Sequence, residues 1–382
     1  MIYLDNAATT KMYEECGEVL KKYNEEVFFN PSARYKGALK AQEAMNGARE
    51  RIASLLGADA REIYFTASGS EADNMALLCS LRRKSGRVII SSVEHSAVYK
   101  CACELERRGY EIIFAPVTSC GAVDEEAFAR LLTPDTVLVS IMHVCNETGA
   151  VNDIARLAAL TKKRAPKALF HSDGVQAFCK VRVDLHAAGV DMYSVSAHKV
   201  HGPKGVGALY VKKGVNLSPF VHGGGQEKGV RSATENVSGI CAFAKAARLA
   251  WERMRAGEKE AKEEFFEATA YLRENIDDIV IISQGGACVP GYLSLAVKGV
   301  RGEVLVHILD DEGIMIGTGS ACSSHSKDKR IAQALGLKEE YFDGMLRLTA
   351  GDMNKKGDLL SACRRLVEAI RNERKFGAAE QR

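Results

Sequence analysis

No apolar run in this chain approaches the ~18–20 residues a bilayer-spanning helix requires. Charge of one sign is also scarce. Against 52 Lys and Arg stand 49 Asp and Glu, leaving +3 over 382 residues. That is too little to draw the chain to nucleic acid or to an anionic membrane. The opening residues MIYLDNAATT lack a charged segment followed by a long apolar stretch. No secretory signal is legible there, and the cytoplasm is the expected location. Order among the cysteines is missing too. Eleven thiols run from Cys16 to Cys363 with no CxxC pair, and only Cys101 and Cys103 stand close. Neither a disulfide framework nor a four-ligand metal site fits that scatter, so most read as small core residues. Internal repeats and low-complexity segments are absent as well.

What is present is a globular composition, 46% hydrophobic and 26% charged. The length suits one large domain plus a smaller one. Apolar, β-branched runs recur at EIYF (62–65), RVIISSV (87–93), EIIFAPV (111–117), TVLVSIM (136–142), ALFHSD (168–173), DMYSVSA (191–197) and GALYV (207–211). Amphipathic stretches such as AVYKCACELERRG (97–109) and DIARLAALTKKRA (153–165) lie between them. This alternation predicts an α/β large domain with a mostly parallel seven-stranded sheet flanked by helices. A long helical pattern follows from Ile240 to Asn275. VIIS (280–283), YLSLAV (292–297) and EVLVHILDDEG (303–313) then predict a smaller α+β domain. The polar tail RNERKFGAAEQR reads as a fraying end.

In parallel sheets ligands collect beyond the carboxyl ends of the strands, and polar residues stand at those ends here. In DMYSVSAHKVHGPKGVG (191–207), Lys199 follows a strand and precedes a tight glycine-rich turn. Taken singly, each such residue has an ordinary reading. A lysine at a strand end is a solvated rim charge, and Asp173 in HSDGVQAF is a helix cap. His95 is a satisfied surface histidine, Asn146 a turn residue, and ASGSEADN (67–74) a common Gly-Ser turn. Jointly they ask for one chemistry. A reactive lysine, an acid for a ring nitrogen, a phosphate cup at a helix start with Ser70, and a flat-sided histidine suit pyridoxal phosphate.

NPSARY, EADN, EHSAV, NETG, SDGVQ, SAHKVHGPKG, GGGQEKGVRSATEN, GSACSS and RLTAG occur in that order. With them the chain resembles, from YLDNAATT (3–10) to RLTAGDMN (347–354), the cysteine desulfurases of the NifS and IscS type. These belong to the class V aminotransferase family of fold-type I pyridoxal phosphate enzymes. The resemblance implies that Lys199 holds the cofactor as a Schiff base and that Asp173 contacts its ring nitrogen. It implies Gln176 at the ring oxygen and His95 stacked on the ring face. Gly69, Ser70, Ser196 and His198 would take the phosphate, with Thr234 contributed by the second subunit of a homodimer. Asn146 and Arg347 would hold the carboxylate of L-cysteine. Cys322, among the small residues of GSACSS, would accept sulfur as a persulfide and pass it to an acceptor protein for iron–sulfur cluster assembly or thiolation. The implied division is a large domain at 15–255 and a small one formed by 1–14 and 256–382.

Cys145, Ala233 and Tyr35 depart from the family pattern, none at a residue assigned to chemistry. A selenocysteine lyase or cysteine sulfinate desulfinase on the same fold is the nearest alternative, and GSACSS favours the cysteine-handling branch. A nicotinamide enzyme using GGGQEKG (223–229) would need its glycines after a first strand. Here they follow the seventh strand pattern. A non-enzymatic scaffold would leave the assembled motifs unexplained.

Overall fold

The computed structural model describes residues 1–283, 288–319 and 329–380. The chain begins with β1 (Ile2–Leu4), which belongs to a second, later sheet. The larger sheet holds β2 (Ile63–Thr66), β3 (Arg87–Ser91), β4 (Glu111–Ala115), β5 (Thr136–Ser140), β6 (Leu169–Asp173), β7 (Met192–Ser196) and β8 (Gly207–Val211). Their order is β2-β8-β7-β6-β5-β3-β4. Strands β7, β6, β5, β3 and β4 run parallel, and β8 runs antiparallel to both of its neighbours. All seven coincide with the apolar runs of the sequence.

Helices cover both faces, which explains why these strands are apolar without alternation. In β3, Val88 and Ile90 pack with Ala72, Met75, Val98 and Ala102 of helices Gly69–Cys79 and Ser96–Arg107. Ile89, one residue out of phase, faces the opposite core, with Ala41 and Ile52 of helix Lys36–Leu56 and Phe243 of helix Val237–Asn275. The helices between strands start on side-chain caps. Ser68, His95, Asp124, Asp153, Asp184 and Asn236 each accept a backbone N–H of the first turn.

Helix Val237–Asn275 runs unbroken out of the large core towards the second sheet. That sheet contains β9 (Ile279–Ile281), β10 (Tyr292–Val297), β11 (Ile314–Thr318) and β12 (Met345–Thr349), in the order β1-β11-β12-β10-β9. Only the β1–β11 pairing is parallel in it. Helices Gly302–Asp311 and Asp358–Glu380 close its core through Leu305, Leu309, Leu366 and Ile370. Residues 371–380 of the tail expected to fray instead continue this last helix, beyond the buried Leu366, Val367 and Ile370. Among the described residues no helix is long and apolar enough to cross a membrane.

Candidate active site

Strands β6 and β7 pair in parallel with Asp173 opposite Ser194, so their carboxyl ends lie side by side. Beyond β7 the chain tightens into a single turn, Ala197–Lys199. There Lys199 Nζ donates to the carbonyl oxygens of Ala7 and Ala8 at 2.6 and 2.7 Å. Both acceptors come from the N-terminal segment LDNAATT. Beyond β6, Asp173 Oδ1 accepts the Val175 amide at 2.9 Å. Gly174 follows because a Cβ there would lie 1.9 Å from Cζ of Tyr193.

His95 caps a helix, as an ordinary histidine can, but it is partly buried rather than at the surface. Its Nδ1 accepts the Ala97 amide at 3.1 Å, capping helix Ser96–Arg107. A neutral ring that accepts at Nδ1 carries its proton on Nε2. Burial lowers its pKa, and the neighbouring Asp173 charge opposes that shift. Asp73, His95 and Asp173 offer ligand atoms within 4.8 Å of one another. Desolvation raises the pKa of both carboxyls, and the His95 Nδ1 is already engaged. That donor set suits a proton or a cationic ring nitrogen better than a metal ion.

Behind these groups lies a dry polar layer. His171 bonds Ser140 and Ser194 through its two ring nitrogens, at 2.8 and 3.0 Å. Desolvation holds its pKa down near 3. Glu94 is fully buried, accepts the Met142 amide at 2.7 Å, and is pushed towards its protonated form by desolvation.

The mouth of helix Gly69–Cys79 offers donors of the kind a phosphate takes. The amides of Gly69 and Ser70 open the helix with no carbonyl one turn earlier to take them. Ser70 is exposed there. A Cβ on Gly69 would press to 2.5 Å from Val175 Cγ2 and 3.3 Å from Ser196 Cβ. Only glycine therefore keeps that cradle open. The Ser196 hydroxyl is buried and makes no hydrogen bond, an arrangement that a bound oxyanion would satisfy. His198 stands beside it in sequence, its Nδ1 3.1 Å from Thr9 Oγ1. Desolvation, then the charge of Lys199, brings its pKa to about 4.

Arg347 on β12 and Asn146 in the turn after β5 also meet. Arg347 donates to the Asn146 carbonyl at 2.9 Å and to Asp5 Oδ1 at 3.0 Å. Its Nε and the Asn146 Oδ1 are buried with no hydrogen bond. Thr234 is not brought to this site by its own chain. It is exposed in the loop that carries GGGQEKG, between β8 and the long helix. Cys322 lies outside the described residues. Of the departing residues, Cys145 is fully buried, and Ala233 and Tyr35 are exposed.

Lys180, Tyr292 and Asp73 escape a reading by motif. The expected Gln176 donates to the Ala7 carbonyl at 2.8 Å, while its oxygen accepts from Lys180 and Tyr292 at 3.0 and 2.5 Å. Lys180 stands four residues after Gln176, the one signal that could have flagged it. Tyr292, on the second sheet, gives no local signal. Asp73 is visible only as an acid on an otherwise apolar helix face.

The family model for class-V aminotransferases matches residues 2–359. The chain belongs to the class-V aminotransferase family. Among curated relatives, a cysteine desulfurase IscS from Dictyoglomus turgidum is 38% identical over 97% of this chain and 95% of its own length. A solved NifS-like protein superposes with a TM-score of 0.91 at 31% identity, covering 97% of this class-V chain and 99% of its own. A structure described as SspA in complex with cysteine gives 0.80 at 30% identity, over 93% and 100% of the two chains.

Proposed function

We propose that this protein is a pyridoxal phosphate-dependent cysteine desulfurase of the cytoplasm. The observation that carries the reading is convergence. Lys199, Asp173, His95 and the unsatisfied Ser196 hydroxyl meet at the ends of β6 and β7, against the open mouth of a helix. In this reading Lys199 holds the cofactor, Asp173 faces its ring nitrogen, His95 its ring face and Gln176 its ring oxygen. Gly69, Ser70, Ser196 and His198 take its phosphate. Bound there, pyridoxal phosphate supplies an electron sink for the substrate's Cα.

The protein's own groups do the rest. Arg347 and Asn146 orient the cysteine carboxylate, and the unused Arg347 Nε and Asn146 Oδ1 are polar atoms ready for a substrate. Lys199, once released, carries the proton at Cα. The Cys322 thiolate attacks the substrate sulfur, whose bond to Cβ breaks. L-Cysteine and one thiol thereby become L-alanine and one persulfide, with no external oxidant. The persulfide is then handed to an acceptor protein.

In this reading the chain divides into 15–255 and 1–14 with 256–382, and the site lies where the two parts meet. A homodimer completes it, Thr234 reaching across from a second copy to the phosphate. An exposed apolar patch supports that assembly. Phe28, Tyr35 and Leu39 are 64, 54 and 52% exposed, and Phe28 stacks on Phe29 at 4.6 Å.

The test is incubation of the purified protein with L-cysteine, alanine measurement and persulfide mapping. The expected outcome is alanine formation with the persulfide on Cys322, and loss of both in Cys322→Ser with bound cofactor retained. Robust alanine release by that variant would remove Cys322 from the mechanism. Faster turnover of selenocysteine or cysteine sulfinate than of cysteine would replace the substrate.

A further inference from the structure

Gln176 is held from two sides. Its side-chain oxygen accepts from Lys180 Nζ at 3.0 Å and from the Tyr292 hydroxyl at 2.5 Å, and its nitrogen donates to the Ala7 carbonyl at 2.8 Å. A lysine ammonium can only donate, and a peptide carbonyl can only accept. Flipping the amide would set donor against donor and acceptor against acceptor, so the orientation is dictated by the partners. One N–H of the amide goes to Ala7, whose carbonyl also takes Lys199 Nζ at 2.6 Å. The second N–H remains for the site's occupant.

We propose that Lys180 is a positioning residue that, with Tyr292, locks Gln176 as an N–H donor towards the ring oxygen of the cofactor. The proposal rests on the cofactor reading given above. Its anchors are well separated in the chain. Lys180 follows β6 in the large sheet, while Tyr292 opens β10 in the second, and the two touch at 3.3 Å. The lock therefore exists only when both sheets are in place.

Charge adds to geometry. Burial, then the neighbouring Lys199, brings the Lys180 pKa down to about 7, with Arg347 acting in the same direction. Cys179 and Tyr292, the other titratable groups against it, are both shifted upwards by burial and stay neutral. A cavity of about 470 Å³ lies against both amines. Its remaining charged lining is Arg253, Glu260, Glu264, Asp352, Lys355 and Lys356. Below its pKa Lys180 is a cation, and with the N–H that Gln176 would offer the ring oxygen it would favour the unprotonated form of the link between Lys199 and a bound cofactor.

The experiment compares cofactor-loaded parent, Lys180→Met and Lys180→Arg, following the visible absorption band from acid to alkaline pH and the rate of cofactor release. In Lys180→Met the midpoint of the band's pH transition rises by about 1 unit, and release quickens by about tenfold. Lys180→Arg keeps the parent midpoint, because its guanidinium restores both charge and donor. A Lys180→Met midpoint equal to the parent's overturns the proposal, as does an arginine variant that moves as far as the methionine one. Should Lys180→Met not fold, Tyr292→Phe removes the second donor to Gln176. It is expected to move the midpoint in the same direction, and an unmoved midpoint there overturns the lock. A parent protein with no visible band would instead sink the cofactor reading itself.

Discussion

Asn146 and Arg347, 201 residues apart in the chain, are joined at 2.9 Å by a guanidinium-to-carbonyl hydrogen bond. The turn after β5 supplies one and β12 of the second sheet the other. Glu147 and Asp5 then hold the guanidinium, the first at 3.5 Å and the second at 3.0 Å. Lysine cannot reproduce that fork. Arg347→Lys is expected to raise KM for cysteine by about 10–100-fold, checked by steady-state kinetics. An unchanged KM would remove Arg347 from substrate binding.

Asp173 is expected to govern rate more than cofactor retention. Its carboxyl sits where desolvation raises its pKa, so a cationic ring nitrogen, if bound opposite it, would restore the charge. Asp173→Asn preserves shape and the Val175 hydrogen bond while removing that charge. We expect kcat to fall by about 100-fold, ~2.7 kcal/mol at the barrier, with cofactor still bound in part. Turnover within about twofold of the parent, under ~0.5 kcal/mol, would contradict the role.

Stability carries a pH signature at His143. The ring is buried, its Nδ1 lies 2.7 Å from the Tyr193 hydroxyl, and desolvation lowers its pKa to about 4. The unfolded chain, with histidine near ~6.5, binds the proton first as the pH falls. The histidine's contribution is therefore complete above that value and is lost on the way down to about 4. Asp73 and Glu94, whose pKa values are raised, act in the opposite sense, so a difference against His143→Asn isolates the effect. The parent's advantage should shrink by up to about 1.4 kcal/mol per pH unit within that window, read from denaturant unfolding. A pH-independent difference would show that the ring is not held neutral.

The apolar patch at Phe28, Tyr35 and Leu39 gives the assembly its own test. Leu39→Glu places a charge on a half-exposed helical position, which a monomer tolerates and a buried interface does not. Sedimentation should show a dimer for the parent and a monomer, with weakened cofactor retention, for the variant. A cofactor-loaded parent monomer would remove the role given to Thr234.

Much of this molecule is legible in its residues, for reasons that also mark the limits. β5, β7 and β8 are buried at every position, so their apolar runs show plainly. β1 has three residues, too few to display a period. β12 carries a buried arginine and β11 a glycine, which break the apolar pattern that would announce them. At the site, Asp173 ends a strand, Lys199 follows one, and both stand out. Ala7 and Ala8 act through backbone oxygens, which no side-chain pattern can reveal. Lys180 looks like any lysine beyond a strand until Tyr292 arrives from the far sheet.

The parallel pairing of Ile2 with Ile314 orders events during synthesis. The carbonyls that hold Lys199 leave the ribosome first, yet the strand beside them gains its partner only when β11 emerges. A nascent chain stalled before that point contains all seven strands of the large sheet and the lysine itself, but not the strand that steadies the lysine's acceptors. Long-range contacts of this kind close late. Settling of the carbonyls that hold Lys199 is thus deferred until β11 has been made.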